Sequence, residues 1–180
     1  MSRPRRVVKE FFVATMTPTS PATQASSPMA LWGRLLATKD DYGALIARVA
    51  LGLVILPHGL QKTLGWYGGG GFEGTMGFFT TQMGIPSVFA LLAILAESLG
   101  ALALILGLLG RVSALGVGIT MGVAMMMVHV PHGFFMNWFG AQQGEGIEFF
   151  LLAMALALIT VVKGSGAHSL DRMLSKRLGQ

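Results

Sequence analysis

One apolar run constrains this chain more than any other feature. From about Val112 to Val130 it contains no acid or base except His129. Three similar runs accompany it. One spans about 43–60 and holds only Arg48 and, near its end, His58, a second spans about 87–109 and holds only Glu97, and a third spans about 147–162 with Glu148 near its start. A helix of about 20 residues crosses the ~30 Å hydrocarbon core of a bilayer. The second and third runs in chain order meet that length. The first and fourth are slightly short and lean on flanking aromatic and polar residues. All four are continuous and rich in Ala, Leu and Gly rather than alternating, which favours helices over strands. The fold class expected is an all-α membrane protein built as a four-transmembrane-helix bundle. Composition agrees: charged residues make up 12% of the chain, about half the usual globular share. The absence of cysteine excludes disulfides, zinc–thiolate sites, iron–sulfur ligation and thiol nucleophiles.

Basic residues give an orientation. Arg34 and Lys39 precede the first span, Arg111 separates the second from the third, and Lys163, Arg172, Lys176 and Arg177 follow the fourth. Only Lys62 falls on the other side. The positive-inside rule then places both termini in the cytoplasm. Trp66, Tyr67, Trp138 and Phe139 lie in the two outer loops, where an aromatic belt is expected. Residues 1–28 are basic, then rich in Pro, Ser and Thr, and read as a disordered cytoplasmic tail. Arg5-Arg6 is not followed by an apolar segment before Pro18, so it does not read as a twin-arginine signal. Residues 29–41 read as an amphipathic interfacial segment, residues 42–163 as the transmembrane domain, and residues 164–180 as a cytoplasmic C-terminal tail.

The chain carries an internal echo. Pro57-His58-Gly59 recurs as Pro131-His132-Gly133, and Trp66-Tyr67-Gly68 with Glu73-Gly74 recurs as Trp138-Phe139-Gly140 with Glu145-Gly146. The same order of rare residues suggests two parallel two-helix repeats. Small residues recur every third or fourth position at Ala93, Ala96, Gly100, Ala103 and Gly107, and again at Ala114, Gly118 and Gly122. Such stripes let helix backbones approach closely. The glycine run 68–71 permits a tight outer loop, and residues 72–83 suggest a short re-entrant or surface helix. Met121 and Met125–Met127 read as adaptable packing.

Few residues here carry chemistry. Glu97 lies near the middle of its span, where a lone carboxylate costs several kcal/mol unless paired, protonated or wet. Arg48 is the partner expected, since their heights differ by roughly 7 Å at 1.5 Å per residue. Two readings stay open: a pair that fixes helix register, or a carboxylate lining a polar cavity. His58, His129, His132 and Glu148 gather toward the outer end. They suit backbone contacts, a quinone oxygen or a metal. The His-x2-His spacing by itself gives no metal assignment, and His58, His129 and His132 are only weak candidates. There is no Ser/His/Asp arrangement or nucleotide motif, and the basic residues follow from topology rather than nucleic acid.

Taken together, Arg48-x3-Gly52, His58-Gly59-x2-Lys62, Glu97-x2-Gly100, Gly107-Leu108-x2-Arg111 and Gly164-x-Gly166-x2-Ser169-Leu170-Asp171 resemble the DoxX family of small bacterial membrane proteins. The resemblance spans about Asp41 to Leu174. It implies a multi-pass protein of the bacterial inner membrane. Relatives in that family are linked to thiosulfate:quinone oxidoreductase, to quinone or catechol stress and to membrane redox assemblies. The function expected is a quinone-linked membrane subunit of a redox or oxidative-stress system. Arg48, His58, Lys62, Glu97, His132 and Glu148 are the candidate ligand contacts, and quinone the one cofactor suggested. The alternatives are a non-catalytic anchor for a soluble oxidoreductase and a small-molecule carrier. Whether the chain is itself an enzyme stays open. Expected partners are the lipid bilayer, a soluble redox protein and a second copy of the chain.

Overall fold

The computed structural model describes residues 35–177 together with Trp32 and Gly33. The N-terminal tail read over 1–28 lies outside the described residues, as do 29–31, Arg34 and 178–180. The described residues form helices, turns and loops, with no strand. Helix α1 (Tyr42–Leu64) starts at Asp41, whose side chain accepts from the Ala44 amide at 3.0 Å. This N-cap satisfies one of the orphan donors of the first turn. The helix continues through Pro57 and stops at Gly65, whose φ of 71° suits a residue without Cβ. The repeated Pro-His-Gly therefore plays two roles: it is internal to a helix at 57–59, but helix α4 (Gly110–His132) ends at His132, with Gly133 beyond it at φ 86°.

Helix α2 (Gly71–Gly77) runs on as a π-helical turn over Phe78–Gln82 and lies against α1. Helix α3 (Ser87–Leu106) follows Pro86, contains a π-helical turn at Ala96–Gly100, and ends at Gly107 with φ 69°. Another π-helical turn, Met125–His129, lies near the end of α4. Helices α5 (Glu148–Lys163) and α6 (Leu170–Arg177) complete the fold.

Helices α1, α3 and α4 are each long and apolar enough to cross a membrane. α1 packs along α3 and α5, and α4 packs along the same two, closing a ring of four. The core is built from Leu51, Ile55, Ala101, Leu104, Ala114, Val117, Met121, Phe150, Ala153 and Ala157. Many of these are alanines because the helices sit close. A Cβ on Gly52 would meet the Ala101 carbonyl at 2.8 Å, and one on Gly118 would meet the Ala157 methyl at 3.2 Å. The outer faces carry the larger apolar side chains, among them Ile46, Leu53, Val88, Leu99, Leu115, Ile119, Leu152 and Leu158, all exposed. Large apolar residues on the outside suit a lipid solvent, and small residues where helix backbones touch suit the close packing that holds helices together there.

Residues 164–177 differ from the tail read in the sequence. Ser165, Ala167, Ser169 and Asp171 are buried. The reason is backbone geometry: Gly164 (φ 84°) and Gly166 (φ 72°) fold the chain back over the start of α1, with the Ala167 amide donating to the Asp41 carbonyl at 3.1 Å.

Candidate functional site

Arg48 is fully buried one turn and a half into α1. All five of its N–H groups reach carbonyl oxygens. Nε donates to Ser165 (2.6 Å), Nη1 to Leu104 and Ile105 (both 2.7 Å), and Nη2 to Ala167 (3.2 Å) and His168 (2.9 Å). A guanidinium has five donors, so none is left for a ligand. Leu104 and Ile105 belong to the last turn of α3, where carbonyls run short of helical partners; the Leu104 carbonyl also accepts from the Gly107 amide at 3.2 Å. Arg48 therefore ties α1 to the end of α3 and to the C-terminal segment.

Asp171 completes this clasp. Its carboxylate accepts from the amides of Leu109 (2.7 Å) and Gly110 (2.9 Å) and from the Ser165 hydroxyl (2.5 Å). Leu109 holds a positive φ of 47°, uncommon for a residue with a Cβ. The carboxylate thus caps α4 and fixes the strained turn joining it to α3. Asp41 and Lys163 add a tie at 2.7 Å between the start of α1 and the end of α5. The Lys163 ammonium holds the Asp41 carboxyl below its ordinary pKa, and the Ala44 amide adds to the effect.

The expected Arg48–Glu97 pair does not form. The register of α1 on α3 sets Gly52 against Ala101 and Ile105, and Gly59 against the Glu97 carbonyl. Gly59 is eleven residues beyond Arg48, roughly 16 Å along the axis. Glu97 instead meets Lys62: Nζ lies 2.5 Å from Oε2, with the carboxylate side chain 4% exposed and the lysine 22%. Glu97 sits in the π-helical turn Ala96–Gly100, and such turns concentrate at functional positions. The Lys62 ammonium has three N–H donors, and Glu97 takes one of them.

The remaining candidates serve the far end of the bundle separately. His58 lies on the same face of α1 as Lys62, four residues before it, and its ring tilts against Phe149 with centroids 6.2 Å apart. His129 sits over Phe150 at 4.2 Å, and its Nδ1–H donates to the Glu145 carbonyl at 2.8 Å. His132 lies against Gly144, where a Cβ would strike its ring. Glu148 accepts from the Met136 amide at 2.8 Å and the Trp138 indole at 3.4 Å, closing the loop before α5. Among the described residues no three His, Asp or Glu side chains come together as a metal group, so His58, His129 and His132 do not assemble one. Of the six ligand candidates only Lys62 and Glu97 join directly. Ser165 and Asp171, the unforeseen partners of the Arg48 region, differ in legibility: the Gly-x-Gly-x2-Ser-Leu-Asp motif marks Asp171, whereas Ser165 falls on its first variable position. The Lys62–Glu97 pair joins the lone outer base to the lone acid of the second span, and that scarcity is the signal that could have paired them.

The DoxX family profile matches residues 43–130, which hold α1 to the π-helical turn of α4. An uncharacterized membrane protein of Mycobacterium tuberculosis is 33% identical over 157 residues, covering 81% of this chain and 90% of that protein. The chain belongs to the DoxX family. Another relative is the inner membrane protein YqjF of Escherichia coli, 29% identical over 143 residues, which cover 77% of this chain and 96% of YqjF. CatD of Bacillus subtilis, whose name gives oxidoreductase as a provisional label, is 27% identical over 136 residues, covering 76% of this chain and 90% of CatD. No solved structure gives a significant match. This DoxX protein is a membrane protein, with apolar helices that suit contact with lipid.

Proposed function

We propose that this DoxX protein is a membrane subunit of a redox system that binds a quinone-like molecule at the Lys62–Glu97 pair. The observation that carries the reading is that pair itself: a buried carboxylate in a π-helical turn, bridged to a half-buried ammonium. A quinone oxygen accepts hydrogen bonds, and Lys62 has N–H groups beyond the one Glu97 uses. Glu97 is then the group that holds or gives up a proton beside the ligand, while His58 flanks Lys62 on the same helix face. A bound quinone supplies the electron-accepting chemistry. The name of CatD supports the redox reading. In this reading α5 is the fourth crossing. Its 16 residues rise about 24 Å, and its exposed Leu152, Leu158 and Val162 match the lipid-facing pattern of the other three. Both ends of the described chain then lie at the basic, cytoplasmic end.

The test uses Glu97→Gln and Lys62→Gln in detergent-purified protein. Both variants should insert, Glu97→Gln melting close to the parent and Lys62→Gln lower because it leaves the buried carboxylate unpaired, and each should lose quinone retained on purification, read by mass spectrometry. Retention unchanged in both variants would remove the pair from the site. The second reading, an anchor for a soluble oxidoreductase, predicts instead an empty protein that still brings down its partner when Glu97 is changed.

A further inference from the structure

A second polar feature lies at the opposite end of the bundle from Lys62. A cleft of about 540 Å³ opens between the approach to α1, the start of α4, the end of α5 and helix α6. Three cations line it: Lys39, Arg111 and Lys163. The one acid is Asp41, already paired with Lys163. Thr38 and Ser175 contribute hydroxyls, and the Thr38 Oγ1 accepts from the Gly166 amide at 2.6 Å. Arg111 is fixed by donating to the carbonyls of Val161, Val162 (2.7 Å) and Ala37 (3.1 Å). Those acceptors are neutral, so its charge is not cancelled. Its Nε is buried without a partner among the described residues. Lys39 makes no ion pair among the described residues. The cleft therefore keeps an excess of two positive charges, with one of the cations held rigid.

Its position narrows the ligand. The cleft lies where the apolar helices end, at the level of lipid headgroups in a bilayer. Helix α6 beside it exposes Leu170, Met173 and Leu174 next to Lys176 and Arg177, the pattern of a helix resting at an interface. We propose that this cleft binds a phosphate group, presented by an anionic phospholipid or by a soluble phosphate. Arg111 supplies a fixed guanidinium, and Lys39 closes on the anion from the rim. Lys163 is shared with Asp41. The proposal is independent of the Lys62–Glu97 site, which lies at the other end.

The experiment is native mass spectrometry of the full chain in mild detergent after exposure to phosphatidylglycerol or phosphatidylcholine vesicles. A parallel calorimetric titration uses inorganic phosphate. Lys39→Gln is the principal variant because Lys39 holds no side-chain contact that folding needs. Lys176→Gln removes the same charge outside the cleft. Retention of phosphatidylglycerol over phosphatidylcholine, falling about fivefold in Lys39→Gln and not in Lys176→Gln, supports the site with a lipid source. Binding of inorganic phosphate with the same dependence on Lys39 supports it with a soluble source. Equal losses in the two variants, or no preference for phosphate in either arm, would overturn it, because general charge attraction would then suffice.

Discussion

A buried arginine in a membrane helix is costly unless every donor is met, and Arg48 meets that condition with carbonyls alone. Lysine in its place brings three donors without the planar fork. Arg48→Lys should therefore leave at least one buried carbonyl without a donor, since only Leu104 has a second one, and destabilise the fold by about 1–3 kcal/mol. A lowered melting temperature in detergent checks this, and unchanged melting would refute the clasp. Asp41 gives a pH prediction with a definite sign. Its folded pKa lies below the unfolded value, about 3.9, so its contribution is present above that value and lost as pH falls through the folded one. The gap in melting temperature between the parent and Asp41→Asn should stay constant from neutral pH to about pH 5 and close at lower pH. Arg48 is visible in the sequence as a rare charge in an apolar run, whereas the capping role of Asp41 emerges only from the structure. The partners of Arg48 are not visible either, because Ser165 lies 117 residues from Arg48 and no local pattern encodes that meeting.

The apolar runs make the long helices legible at the scale of elements, since length and continuity suffice. Register between helices is less legible. A height estimate with a uniform 1.5 Å rise pairs Arg48 with Glu97, whereas the structure sets Glu97 beside Gly59. Two local facts cause the difference. Helix α1 runs through Pro57 to Leu64, and α3 changes its turn at Ala96–Gly100. Neither has a clear signature in composition. Gly59 is where the two helices touch, and a Cβ there collides with the Glu97 backbone. Gly59→Ala should cost about 1–3 kcal/mol and separate Lys62 from Glu97. Thermal melting and quinone retention, measured together, should both decline.

The whole molecule is a ring of helices whose closest approaches are made by Ala and Gly and whose remaining interior is filled by Leu51, Ile55, Leu104, Val117, Met121 and Phe150, and of this the small-residue stripes are open to view in the sequence. The role of its last segment is hidden there, because residues 164–177 are too polar to read as core. They are buried through Ser165, Ser169 and Asp171. Deleting residues 164–180 should cost more stability than Glu97→Gln, with loss of folded protein on size-exclusion chromatography as the readout. If the truncated chain stayed monodisperse and melted like the parent, the clasp would be dispensable. The clasp also bears on how the protein is made. Arg48 enters the membrane early in synthesis, but three of its five acceptors lie 117 or more residues later in the chain. Until residues 165–168 have been made and packed, the first helix carries a charge with unmet donors. A transcript cut short before Ser165 would thus yield a protein with a built-in mark of incompleteness, open to the proteases that survey membranes, while a chain that carries the clasp conceals that mark as it folds.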